Sequence, residues 1–209
     1  MQVALQLILV AAAASPAAGA AMSAPVPDSP TATVQCLASA FNQRSLEKYG
    51  ALLTADYRFH ISPSDKTARY VDGIDRNYEL EAASNLFVGG GGMPKAKEIH
   101  MTVDGISESN DPEHPDSSAW YRVVAVRRFA TSMQTTTDTH VEVGPWLNVF
   151  HVVRGDAAVR VAGQPGGEDR WYIRRWLEDI DAVTAALADT TGGCGEPATK
   201  QAAAKKTRE

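Results

Sequence analysis

The chain is poor in cysteine, with two in 209 residues, so a dense disulfide scaffold is excluded. It lacks an uninterrupted apolar stretch of the ~20 residues a membrane-spanning helix needs, so no stable span is expected. It also lacks a basic block in its central part, which argues against nucleic acid as a partner, because phosphate neutralisation needs clustered Lys and Arg. The net charge is −5. Four cations and two anions fall from Glu196 onward, which leaves the rest at −7. No H-E-x-x-H motif or clustered Cys/His spacing is present, so no metal and no cofactor is expected. The glycine run Gly89–Gly92 closes a predicted helix, and no Lys-Ser/Thr follows it. It therefore lacks the arrangement of a phosphate-cradling loop.

What is present divides into four parts. Residues 1–20 hold an apolar run, Val3 to Ala14, and small residues around Ala18-Gly19-Ala20. They read as a signal peptide, although no Lys or Arg precedes the run. That reading implies export to a periplasmic or secreted location. Residues 21–30 form a proline-rich linker, residues 31–189 the folded domain, and residues 190–209 a flexible Ala/Lys-rich tail. Cys36 and Cys194 lie near the two ends of the domain. They are either a bridge closing a long loop or two separate thiols.

Hydrophobic periodicity predicts helices over Thr31 to Gln43, over Ser45 to Leu53, and from Arg76 to Phe87 with Asp75 as its cap. Asp56 to Ser62 alternates as a strand, with Tyr57, Phe59 and Ile61 on one side and Arg58, His60 and Ser62 on the other. Further strands are expected over Lys97–Ser107, Ala119–Thr131, Thr139–Val143 with Trp146–Arg154, and Arg170–Leu177. A short last helix is expected over Asp179–Ala188. Asp111-Pro-Glu-His-Pro-Asp116 and Gly163–Gly167 read as exposed turns. The order of elements is that of an α+β fold, with three N-terminal helices packed in the concavity of a curved, mainly antiparallel sheet.

The run from Phe41 to Phe59 has a helix ending in an aromatic, a second helix ending in Leu52-Leu53, then Asp56-Tyr57-Arg58-Phe59. It resembles the opening of the NTF2-like superfamily, especially its SnoaL-like members. Asn85-Leu86-Phe87, Asn148 to Asp156 and Trp171 to Asp179 are similar to its third helix and last two strands. The resemblance covers about Thr31 to Asp181 and implies a cone with an internal cavity. The superfamily includes isomerases, dehydratases, cyclases, hydrolases and binding modules, so the fold selects no reaction. The ketosteroid isomerases place a carboxylate before a proline, where this chain has Ser62 before Pro63, so that activity is not expected.

Three readings follow. The first is a domain binding a small apolar ligand or a partner protein, with a pocket lined by Tyr57, Phe59, Trp120, Trp146, Asn148, Phe150 and Ile173. The second is a lyase or isomerase of the dehydratase-like kind, with His60, His100 or His151 near Asp104 as its catalytic groups. The third is a filled cone serving as a structural homodimer through the outer sheet face. Asp56 is expected at the helix-to-strand turn. Arg122, Arg127, Arg128, Arg174 and Arg175 are expected on solvated strand faces. Parity leaves two choices open: Trp146, Asn148 and Phe150 face inward or His151 does, and Trp171 with Ile173 or Tyr172 with Trp176 does.

Overall fold

The computed structural model describes residues 27–61, 73–92, 94–156 and 158–179. The signal peptide, Cys194, the tail and the last expected helix lie outside the described residues. Only the end of the proline-rich linker, residues 27–30, falls within them.

Helix α1 spans Pro30–Asn42, capped by Ser29, whose hydroxyl accepts from the Ala32 amide. Proline suits this first position because its missing N–H would have no partner there. The cap thus lies two residues before the expected Thr31. α2 (Leu46–Ala51) is capped by Ser45, and α3 (Arg76–Val88) by Asp75. Arg44 takes the left-handed conformation at φ 53° between α1 and α2. Its guanidinium donates to the carbonyls of Ala96 and Lys97, both at 2.9 Å. Asn42 closes a two-way bond with the Met101 backbone, at 3.0 and 2.6 Å. These contacts pin the end of α1 to the strand it crosses.

The strands are β1 (Leu53–Ile61), β2 (Ile74–Asp75), β3 (Ala96–Asn110), β4 (Tyr121–Thr135), β5 (His140–Arg154), β6 (Arg160–Val161), β7 (Gln164–Pro165) and β8 (Trp171–Asp179). A curved six-stranded sheet runs β2-β1-β8-β5-β4-β3, with β6 and β7 forming a separate hairpin. The sheet is mixed: β1 lies parallel to β8 and the other neighbours are antiparallel. The architecture is α+β as expected. The β6–β7 hairpin was not; Gly163 to Gly167 had read as a plain turn.

Bulges decide which side chains face the helices. Along β8, Ile173 pairs with Val152 and Arg175 with His151, so Arg174 has no opposite residue on β5. The extra residue resets the alternation. As a result Trp171, Ile173 and Trp176 all join the core, and Arg174 turns outward. The two open choices for this strand therefore resolve as a mixture. A second irregularity, between Val126 and Phe129 of β4, turns Arg127 and Arg128 outward together while both flanking residues stay buried. The core joins Val34, Leu37, Tyr49, Leu53, Tyr57, Phe87, Phe129, Phe150, Val152 and Ile173. It is helix face against concave sheet face.

Candidate functional sites on the two faces of the sheet

The concave wall is an aromatic cluster. Trp176 lies 5.2 Å from Phe59, 5.2 Å from Phe129 and 5.1 Å from Phe150, ring centre to ring centre. Tilted and edge contacts of this kind are the favourable ones. Asn148 is fully buried beside them and accepts the Trp176 indole N–H at 2.6 Å. Its amide donates to the Trp146 carbonyl at 3.4 Å. Parity is thus settled on β5: Asn148, Phe150 and Val152 face the helices, and His151 faces away.

Glu178 stands directly opposite Asn148 on the same face. Burial raises its carboxyl from an ordinary 4.5 to about 7. The half-buried apolar side chains of Phe59, Val103 and Ile106 pack at the margin of the same core. Sequence reasoning missed Glu178, because the acidic end of β8 read as a strand terminus. Counting parity through an unseen bulge would have put it on the wrong face.

Deeper in the cone, the Tyr49 hydroxyl donates to Glu79. Burial raises the Glu79 carboxyl and is also the largest cause holding the Tyr49 and Tyr57 phenols well above their usual range. The Tyr57 hydroxyl is buried with no hydrogen-bond partner among the described residues. Arg76 closes this end, donating to the carbonyls of Gly50 and Leu53 at 2.9 and 3.3 Å.

The histidines lie elsewhere. None of His60, His100, His114, His140 and His151 is fully buried: His100 and His140 are exposed and the other three are half-buried. His60 is on the outer face, where burial first, then Arg175 and Arg58, lowers its pKa. His151 is also outside, with Nδ1 3.1 Å from Asp111 Oδ2. Asp104 is exposed and paired with Arg128 at 3.6 Å. The expected catalytic set of His60, His151 and Asp104 is therefore not brought together: the two histidines share an outer face and Asp104 is spent on a surface ion pair.

Of the expected pocket residues, Tyr57, Phe59, Asn148, Phe150 and Ile173 lie on the concave side and Trp146 is half-buried at its edge. Trp120 is the correction. It is 41% exposed and lies under the Arg154 guanidinium, 5.6 Å from ring centre to Cζ. It precedes β4 rather than belonging to it, so strand alternation does not apply. Asp56 also departs from expectation. It lies within β1 and accepts from Arg174 Nε at 2.8 Å. Cys36 is half-buried against the core, and burial raises its thiol pKa.

The outer face carries the described clefts. One, of about 20 Å³, is lined by Asp111, Glu113, His114, Tyr121, His151 and Arg175 among others. Next to it a cleft of about 310 Å³ runs past Asp56, Tyr121, Val153 and Arg174 toward Arg160. Asp111 is buried, so the 111–116 segment is not simply an exposed turn. Arg175 reaches across to Glu113 at 2.6 Å.

No family model matches the chain, and no curated protein does. Among solved structures it is similar to a candidate scytalone dehydratase from Novosphingobium aromaticivorans, at TM-score 0.48 and 10% identity, over 71% of this chain and 78% of that one. It is similar to an NTF2-like protein of unknown function in nutrient uptake from Rhodospirillum rubrum, at TM-score 0.45 and 14% identity, over 72% and 96%. A ketosteroid isomerase-like protein from Erwinia carotovora atroseptica follows at 0.44 and 13%, over 71% and 90%. In the path of its backbone the chain is similar to NTF2-like proteins. Identities this low say nothing of chemistry.

Proposed function

We propose that the domain binds a small, mainly apolar molecule at the concave wall, and that Glu178 and Asn148 orient it through one polar group. The observation that carries this reading is Glu178. It is a half-buried carboxyl facing Asn148, with no hydrogen bond or ion pair to any described residue. Burying a carboxyl without a partner costs free energy, and structures retain such costs where a group is used. Half-buried Phe59 supplies an apolar surface beside it, backed by the buried rings of Trp176 and Phe129. Ionised, Glu178 accepts a hydroxyl of the ligand; protonated, it donates to a carbonyl.

The same carboxyl supports a second reading, a lyase or isomerase. A group raised to about 7 is matched to proton transfer near neutral pH. That role passes from the outer-face histidines to Glu178. Titration with 2-naphthol, a fluorescent planar phenol, tests the binding site. The Trp176 indole N–H resonance shifts on binding at the concave wall. A probe that binds but leaves that resonance in place is bound elsewhere, and the proposal fails.

A further inference from the structure

We propose that Asp111, Glu113 and His151 form a site for a divalent first-row transition ion on the outer face of the sheet. Their ligand atoms all lie within 4.8 Å of one another. The site is independent of the concave wall, since His151 points to the opposite side from Asn148 and Phe150.

Two of the three ligand atoms already stand at coordination spacing, and the exposed Glu113 has to close the rest of the distance. His151 Nδ1 and Asp111 Oδ2 are 3.1 Å apart. Two ligand atoms each ~2.1 Å from a metal are separated by roughly 3.0 Å at a right angle and 3.4 Å at a tetrahedral one. Both groups are held. The other Asp111 oxygen, Oδ1, accepts the Glu113 amide at 2.8 Å, which turns Oδ2 toward the imidazole. His151 sits on β5, with β4 and β8 on either side. The Asp111 and His151 side chains are only 3% and 12% exposed, while Glu113 is 51% exposed. Two ligands are therefore largely dry before an ion arrives, and the third faces water, where solvent can complete the sphere.

The Arg175–Glu113 bond occupies Oε1 and leaves the other oxygen for a cation. An outer partner on a ligating carboxylate is the usual arrangement, since it fixes the ligand's orientation. Arg174 does not add its full charge to the cluster, because Asp56 accepts from it. The cleft at the cluster is about 20 Å³, which holds an ion or a water rather than an organic ligand. One imidazole nitrogen with two carboxylates selects zinc, cobalt or manganese over calcium and magnesium, which prefer all-oxygen sites.

The test uses the full chain without a polyhistidine tag, stripped with EDTA and titrated calorimetrically with Zn²⁺, with Co²⁺ as an optical reporter. The expected result is one ion per chain at the cluster, a raised melting temperature, and a visible Co²⁺ band. Glu113→Gln, an exposed change that preserves the fold, weakens binding at least ~10-fold. His140→Ala leaves affinity unchanged; it removes the exposed His140–Glu142 pair, which lies at 3.1 Å on another part of the sheet. The proposal is overturned if Zn²⁺ and Co²⁺ do not bind at millimolar concentration. It is equally overturned if Glu113→Gln binds like the parent, or if affinity follows His140. The three residues would then be an ion-pair network fastening the 111–116 loop to the sheet.

Discussion

The indole N–H of Trp176 is bonded to Asn148 Oδ1 at 2.6 Å, between two side chains that are 7% and 0% exposed. This pair joins β8 to β5 at the aromatic wall. Asn148→Leu leaves the indole donor without an acceptor in a dry site, a penalty of ~1–3 kcal/mol. The urea midpoint falls by that amount divided by the denaturant slope, which stays unchanged. A neutral result would mean the bond contributes nothing to the fold.

Glu178 sets a pH dependence with a definite sign. Its folded pKa, about 7, lies above the ordinary 4.5. Between those values the unfolded chain has lost the proton and the native protein keeps it. Stability therefore falls as pH rises through this window, then levels off above it. Glu178→Gln removes the effect. The variant gains on the order of 2 kcal/mol over the parent at pH 8 relative to pH 4, after discounting for partial exposure. Urea titrations of both proteins at the two pH values measure the difference.

Tyr49 and Tyr57 are both fully buried, yet their hydroxyls differ. Tyr49 donates to Glu79, while the Tyr57 hydroxyl has no partner among the described residues. Tyr49→Phe strips Glu79 of its donor and costs ~1–3 kcal/mol. Tyr57→Phe removes an unsatisfied group and is neutral or stabilising by up to ~1 kcal/mol. Thermal unfolding of the two variants side by side distinguishes them.

Arg174 is the extra residue of the β8 bulge. Deleting it removes the extra residue, so Ile173 and Trp176 become alternate residues opposite Val152 and Phe150 and both keep facing the core. The deletion protein is expected to keep its near-ultraviolet tryptophan signal, as Arg174→Ala does; loss of the signal on deletion would show that the bulge itself is needed for the packing of Trp176.

Elements whose periodicity is local were legible in the sequence. The Ser45 and Asp75 caps are where polar residues precede an apolar helical face, and Tyr57 and Phe59 alternate with Arg58 as expected. Features set by partners far along the chain were not. The bulge at Arg174 exists because β5 and β1 impose their registers on β8, and nothing in Arg170 to Asp179 marks it. That is why Trp171, Ile173 and Trp176 could not be placed together, and why Glu178 was passed over. Asp111 and His151 are 40 residues apart, and only the long β3–β4 and β4–β5 pairings bring them together. The histidines drew attention by residue type, but facing is decided by strand parity.

The most direct test of the concave site is the affinity of 2-naphthol as a function of pH, in the parent and in Glu178→Gln. The account predicts that the parent binds more tightly as pH rises through about 7, when the carboxylate becomes free to accept the naphthol hydroxyl. It predicts that the variant binds ~10-fold more weakly at pH 8, with no pH dependence in that range. Equal affinity and an identical pH profile in the two proteins would contradict it.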